Sequence, residues 1–246
     1  MILNRFPKER PELPAAYRQI YLEHIMSNRA GSTNVTSLSS RMEGWLHRAA
    51  AADVRDSEVG NRERTTLEIG AGTLNHLAYE PAVSPYDIVE PCKELYQGSR
   101  WLRRIRTVYP DITEVDETRC YDRIISIATF EHIVNLPEVA AAAALRLRPE
   151  GCLRVGIPNE GTILWRLGTR VTGYEFRQRY GLDYRVLMAF EHVNTAREIE
   201  AVLRCFFRNI KCRVFGLSRG LAFYRFYVCR AADRDSAKHY LARGKE

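Results

Sequence analysis

The sequence predicts an α/β fold, a seven-stranded and mostly parallel doubly wound sheet that ends in an antiparallel strand pair. Three observations lead there. Short apolar runs, "TTLEI", "YDIVE", "IRTVY", "YDRIISIA" and "CLRVGI", recur along the middle of the chain and are separated by helical or turn-rich segments. Two-sided apolar strands joined by such crossovers indicate a parallel sheet covered on both faces. The first run ends in a glycine-rich loop, and the last two runs, "IKCRVFG" and "AFYRFYVC", are joined by "LSRGL", short enough for a hairpin.

The N-terminal region, residues 1–62, reads as a helical cap. Tyr17, Ile20, Tyr21, His24 and Ile25 fall at i, i+3, i+4, i+7 and i+8, and Gly31 follows as a stop. Leu38, Met42, Trp45, Leu46 and Ala49 repeat the pattern, and the polar stretch "DVRDSEVGNRER" separates this region from the core, residues 63–230. Between the fourth and fifth strands, "NLPEVAAAAALRLRPEG" reads as a helix with Pro137 near its start and Pro149 and Gly151 ending it. Residues 159–194 form a long irregular insert after the fifth strand, and loops of this length in compact domains are usually functional. "TAREIEAVLRCFF" then opens on a capping box, Thr195 with Glu198, and carries Ile199, Val202, Leu203 and Phe206 along one side. The tail, 231–246, is polar and expected to fray. "FEHIVN" and "FEHVN" resemble each other, but matches this short read as coincidence.

Composition bounds the function. The chain has 246 residues, 46% of them hydrophobic, enough for a full core. Its 37 Lys+Arg against 30 Asp+Glu give a formal net charge of +7, but the excess is arginine scattered along the chain, which reads as a solvated surface more than a nucleic-acid groove. Cys92, Cys120, Cys152, Cys205, Cys212 and Cys229 form no C-x-x-C pair and have no histidine at zinc-ligand spacing, so reduced core thiols, no metal and a cytoplasmic location are expected. No segment approaches the roughly 20 apolar residues of a membrane span.

The loop "LEIGAGTLNHL" sets the ligand question. In an open α/β sheet a ligand sits at the C-terminal ends of the strands, and Gly70 and Gly72 would let it lie against bare backbone. A triphosphate would want a following Lys-Ser or Lys-Thr, and a dinucleotide a third glycine where Asn75 stands. Glu68 would also place a carboxylate beside a pyrophosphate at a helix N-terminus. A ligand carrying an ammonium and a sulfonium beside an adenosine suits that acid, and S-adenosylmethionine is such a ligand. Glu90, ending the second strand, is placed to accept hydrogen bonds from the ribose hydroxyls, as in dinucleotide folds.

With these residues the chain resembles the class I S-adenosylmethionine-dependent methyltransferases, over roughly residues 63–230. "LEIGAG" is similar to that family's first motif, acid-x-Gly-x-Gly, and "DIVEP" to its second, with Glu90 as the ribose acid. "YPDITEV" resembles the segment in which an acid, Asp111, faces the adenine amino group while the amide of Ile112 meets the ring. "YDRIISIATFEHI" resembles the fourth strand and its succeeding helix, with Thr129 on the cofactor side, and "LRPEGCLRVGIPNEG" the fifth strand. Many members carry a further glycine where this chain has Leu74, which puts the approach of the methionine end in question.

The resemblance implies methyl transfer to an oxygen or nitrogen of a small polar acceptor, an anionic or sugar-like one being the narrower option. Of the histidines, His192 is expected on the acceptor side as a general base, with His132 the second candidate. The insert mixes Trp165, Tyr174, Phe176, Tyr180 and Tyr184 with Arg166, Arg170, Arg177, Arg179 and Arg185, which reads either as an anion-binding pocket or as a solvated amphipathic helical lid. Nucleic acid is not expected as the substrate, because "ATFE" stands where the related adenine-N6 and cytosine-N4 methyltransferases have an Asp or Asn followed by Pro-Pro and an aromatic. A catalytically silent module on the same fold and a nicotinamide oxidoreductase are the alternative readings, and the sequence sets no oligomeric state.

Overall fold

The computed structural model describes residues 2–21, 37–55, 64–81 and 84–243, without the side chains of 37–40, 55 and 163. Its strands are β1 (Thr66–Ile69), β2 (Tyr86–Val89), β3 (Ile105–Tyr109), β4 (Tyr121–Ile127), β5 (Leu147–Pro158), β6 (Phe207–Gly216) and β7 (Ala222–Ala232). They form one sheet in the order β3-β2-β1-β4-β5-β7-β6. All pairs from β3 to β5 are parallel, and β7 runs antiparallel to both β5 and β6. The expected α/β architecture is therefore present, with the antiparallel pair at the expected end.

The helices are α1 (15–21), α2 (Ser37–Arg55), α3 (Lys93–Tyr96), α4 (Leu136–Arg146), α5 (Ile163–Tyr180), α6 (Tyr184–Glu191), α7 (Ala196–Phe206) and α8 (Arg234–Arg243). One face of the sheet is covered by α4, α7 and α8. Ala140, Ala141, Ala143 and Ala144 are fully buried there, and such small side chains let α4 lie close to Leu67, Ile124 and Leu153. The capping box of α7 forms as read, and Ile199, Val202, Leu203 and Phe206 are all fully buried on its inner side. Burial of this kind stabilises by about 1.5–3 kcal/mol per large apolar side chain.

The other face is covered by α2. Leu46, Ala49 and Ala50 pack with Tyr86, Ile88, Ile125 and Phe226. A Cβ at Gly156 of β5 would lie 2.9 Å from Leu46 Cδ2, so the Leu46 side chain occupies the space that the glycine leaves. Beneath α2 lies a buried charge network. Arg123, 1% exposed, donates to both carboxylate oxygens of Glu80 at 2.7 and 2.9 Å, to Asp53 at 3.0 Å and to the Ala50 carbonyl at 3.0 Å. Arg154 of β5 donates to the carbonyls of Ala49 and Ala50. Burial pushes the Glu80 carboxyl up, but hydrogen bonds from His76 and Arg123 outweigh it and hold the group at about 2.

Three expectations change. The helix read over "NLPEVAAAAALRLRPEG" ends at Arg146, before Pro149 and Gly151, because 147–151 joins β5 through an irregular register between Tyr121 and Arg123. The insert 159–194 is not irregular, since it forms the two helices α5 and α6, capped by Thr162 and Asp183. The tail is not frayed over its described part: α8 buries Ala237 completely, and Tyr240 meets Phe206 edge-on at 5.7 Å. Its polar composition belongs to the outer side of a docked helix. Of the first N-terminal helical pattern, Tyr17, Ile20 and Tyr21 fall in α1, while His24, Ile25 and Gly31 lie outside the described residues, as does the boundary near residue 62.

Candidate functional site

The strand order reverses between β1 and β4, and the loops leaving these two strands face each other. Gly70 has φ 73°, and a Cβ there would overlap Thr129 at 2.3 Å, so the glycine is required both by backbone conformation and by the side chain across the switch point. Thr129 Oγ1 donates toward the Gly70 and Ile127 carbonyls at 3.4 and 3.1 Å. Gly72 has φ 51°, but a Cβ there would meet nothing within 4 Å. The loop is thus closed on Thr129 at one glycine and open at the other.

Glu90 ties this loop to the next. Its carboxylate accepts from the Gly72 amide at 2.8 Å and from the Cys92 amide at 3.0 Å, one oxygen for each, and it is 6% exposed. The residue expected to hold a ribose therefore also holds the glycine loop. Glu68 behaves differently from the charge argument that singled it out. It is 3% exposed and accepts a 2.8 Å hydrogen bond from the Tyr86 hydroxyl. Burial, partly offset by that bond and reinforced by Glu80 and Glu90, pushes its carboxyl up to about 8, so at neutral pH it is largely protonated. Asp111 is exposed and caps a 3-10 turn by accepting from the Thr113 amide and hydroxyl at 2.8 and 2.7 Å, while the Ile112 side chain is buried in the core. Leu74 takes φ 64° and is fully buried among Ala71, Leu77 and Tyr86, so it points inward.

Beyond the glycine loop, two segments sixty residues apart come together. Phe130–His132 is a 3-10 turn after β4, and Glu191 and His192 end α6. The amides of Val193 and Asn194 both donate to the Glu131 carbonyl, at 2.9 and 3.0 Å, and so join the segments. His132 Nδ1 donates to the Glu191 carbonyl at 2.8 Å, and His192 Nδ1 donates to a Glu160 carboxylate oxygen. The two rings meet edge-on at 4.9 Å, and Trp165 stacks on His192 at 5.9 Å. Burial pulls His192 down, but the Glu160 hydrogen bond and the nearby Glu131 and Glu191 outweigh it and raise its pKa. "FEHIVN" and "FEHVN", read as a coincidence in sequence, are thus neighbours in space.

The arginines of the insert face outward. Arg166, Arg170, Arg177, Arg179 and Arg185 are all exposed, as is Tyr174, while Phe176, Tyr180 and Tyr184 build a small core with Leu13 and Tyr17. Tyr17 clamps the lid through its hydroxyl, which donates to the Asp183 carbonyl at 3.1 Å and accepts from the Asp183 amide at 2.9 Å. A cleft of about 390 Å³ opens here between Glu12, Leu13, Arg18, Tyr21 and Phe190. All six cysteines are free thiols, and no helix of the described residues is long and apolar enough to cross a membrane.

A reversed strand order with a glycine loop and a strand-end acid at the switch point, closed by the β7-β6 pair, defines the class I S-adenosylmethionine-dependent methyltransferase fold. No family model and no curated protein matches the sequence. Among solved structures, the chain is similar to the plantazolicin methyltransferase BpumL in complex with SAH, with TM-score 0.60, 13% identity and coverage of 88% of this chain and 92% of that one. It is also similar to the 1,6-didemethyltoxoflavin-N1-methyltransferase of Burkholderia thailandensis bound to its substrate and S-adenosylhomocysteine, with TM-score 0.56, 16% identity and 92% and 94% coverage. A third is a possible histamine N-methyltransferase from Thermotoga maritima, with TM-score 0.51, 15% identity and 85% and 99% coverage.

Proposed function

We propose that this chain is an S-adenosylmethionine-dependent methyltransferase that moves a methyl group to an oxygen or nitrogen of a small polar acceptor. The observation that carries the proposal is the loop at the switch point, with Gly72 open to a ligand and Glu90 already gathering loop amides beside it. Two lone-pair directions of the Glu90 carboxylate are taken by those amides, and the remainder are available to ribose hydroxyls. Gly70 and Gly72 would lie against the methionine end, Thr129 would border it from β4, and the Ile112 amide would meet the adenine ring. Asp111 is committed to its turn and would reach the adenine amino group only with its second oxygen. Glu68 acts from beneath the loop as a buried, hydrogen-bonded acid.

The bound cofactor supplies an electrophilic methyl group on sulfur. The chain's own task is to hold the acceptor in line with it and keep water out. Among structures of similar fold, one is named as an N1-methyltransferase and holds 1,6-didemethyltoxoflavin, which supports a small acceptor here. The acceptor would sit under α5, against His132 and His192. With Nδ1 of each ring engaged, Nε2 is the nitrogen left to meet it, and His192 is the residue proposed to act on its proton. The exposed lid arginines favour a solvated lid over an anion pocket.

Calorimetric titration with S-adenosylmethionine and S-adenosylhomocysteine tests this reading. Both should bind, and Glu90→Ala should weaken both by about tenfold or more, the equivalent of one lost charge-assisted pair of hydrogen bonds. If neither binds the parent chain, the proposal fails. Screening hydroxylated, aminated and carboxylated metabolites for release of S-adenosylhomocysteine then finds the acceptor.

A further inference from the structure

The Glu131 carboxylate is 2% exposed, and its Oε2 has no hydrogen-bond partner among the described residues. Buried charges are ordinarily paired or coordinate metals, so an unpartnered carboxylate oxygen at this depth asks for a cation. His132 Nε2 lies 3.9 Å from Oε1, the other oxygen, and the remaining basic side chains of this segment are engaged elsewhere. Arg10 donates to the His132 carbonyl, while Lys8 donates to the Val193 carbonyl and pairs with Glu198 at 2.9 Å.

Beside Glu131 stand His132 and His192, and one ligand atom from each of the three lies within 4.8 Å of the other two. Both imidazoles are oriented as metal ligands are, since each donates Nδ1–H to an oxygen, the Glu191 carbonyl for His132 and the Glu160 carboxylate for His192. That bond fixes the tautomer and leaves Nε2 as a lone-pair donor on each ring. A hydrogen-bonded histidine cluster built only for packing would not need Glu131 buried beside two imidazoles with its Oε2 unpaired.

We propose that Glu131, His132 and His192 bind a divalent transition-metal cation, with an oxygen of the acceptor as a further ligand. Two imidazoles and one carboxylate suit Zn²⁺, Co²⁺, Fe²⁺ or Ni²⁺, whereas Ca²⁺ and Mg²⁺ want oxygen ligands throughout. The site begins two residues after Thr129, whose hydroxyl reaches the Gly70 carbonyl at 3.4 Å, so it shares the segment after β4 that meets the glycine loop. A hydroxyl bound to it would be oriented and acidified, its proton passing to water while the oxygen keeps lone pairs to attack the cofactor's methyl, so that His192 serves as a ligand in place of a base. This last step rests on the methyltransferase reading, whereas cation binding does not.

The chelator-treated full chain is titrated with Co²⁺, following its visible absorption and the emission of Trp165, which the paramagnetic ion quenches through the stacked His192 ring. One equivalent should bind with both signals, and Zn²⁺ should displace it. Glu131→Gln and His192→Ala should each weaken Co²⁺ at least tenfold, and Glu160→Gln about tenfold through loss of the orienting hydrogen bond. Trp165→Phe should abolish the quench and keep the absorption. Glu131→Gln is close to isosteric and its thermal melt reports folding, so the test survives if the histidine variant misfolds. Absence of Co²⁺ absorption, or Co²⁺ binding unchanged by Glu131→Gln, overturns the proposal. S-adenosylhomocysteine binding without Co²⁺ binding overturns the metal site alone, and Co²⁺ binding without S-adenosylhomocysteine binding overturns the methyltransferase reading alone.

Discussion

Leu74 holds a left-handed backbone that costs an L-residue about 1–2 kcal/mol, while its fully buried side chain returns more than that. The two terms separate by substitution. Leu74→Ala loses the burial and keeps the strain, whereas Leu74→Gly loses slightly more burial and relieves it. The glycine variant should therefore be the less destabilised of the two by about 1 kcal/mol in urea unfolding, the reverse of the usual order. Glu68 is the second residue whose environment sets its behaviour. Its carboxyl is raised from 4.5 to about 8, so the proton it keeps in the fold contributes stability that is complete below 4.5 and lost as pH rises through 8. Glu68→Gln still accepts from Tyr86 and has nothing to titrate. It should melt higher than the parent at pH 9, with the gap closing by pH 5, and parallel melting curves would contradict this assignment.

Among the elements, the strands were legible in sequence because alternation and turn residues mark them directly, and the capping box of α7 because it is a local pattern. A helical lid was one of two readings of 159–194, and its two helices were not delimited because the segment reads as polar and aromatic without a clean period, its aromatic residues being shared between a small core and solvent. The histidine cluster was hidden for another reason: Glu131 and His132 follow β4 while His192 follows α6, and no spacing rule links the two. The lid is held by Tyr17 from α1 through both its hydroxyl bonds to Asp183. Tyr17→Phe should raise the acceptor's KM several-fold while leaving S-adenosylhomocysteine affinity within twofold, because the clamp touches α6 and not the glycine loop. Equal loss of both affinities would place Tyr17 in the general fold instead.

For the whole molecule, the decisive buried feature is the Arg123–Glu80 pair, which no sequence pattern announces because burial and partner choice are both tertiary. The Glu80 carboxyl is lowered from 4.5 to about 2, so its contribution is complete above pH 4.5 and lost as pH falls toward 2. Glu80→Gln should cost about 3 kcal/mol at pH 7, the penalty for taking from a buried guanidinium the carboxylate that holds both its Nη atoms while Asp53 keeps Nε, and should flatten the acid limb of the stability curve. An unchanged acid midpoint would exclude Glu80 as its cause.

Gly156 and Leu46 carry a consequence for how the chain can be divided. The notch in β5 is shaped for a side chain from α2, and Arg123 and Arg154 reach out of the sheet to carbonyls on that same helix. The helical cap before the first strand is thus the missing half of the sheet's own interior. Cutting the gene at residue 62, where composition invites it, should release two insoluble pieces, and co-expressing them should restore one soluble protein.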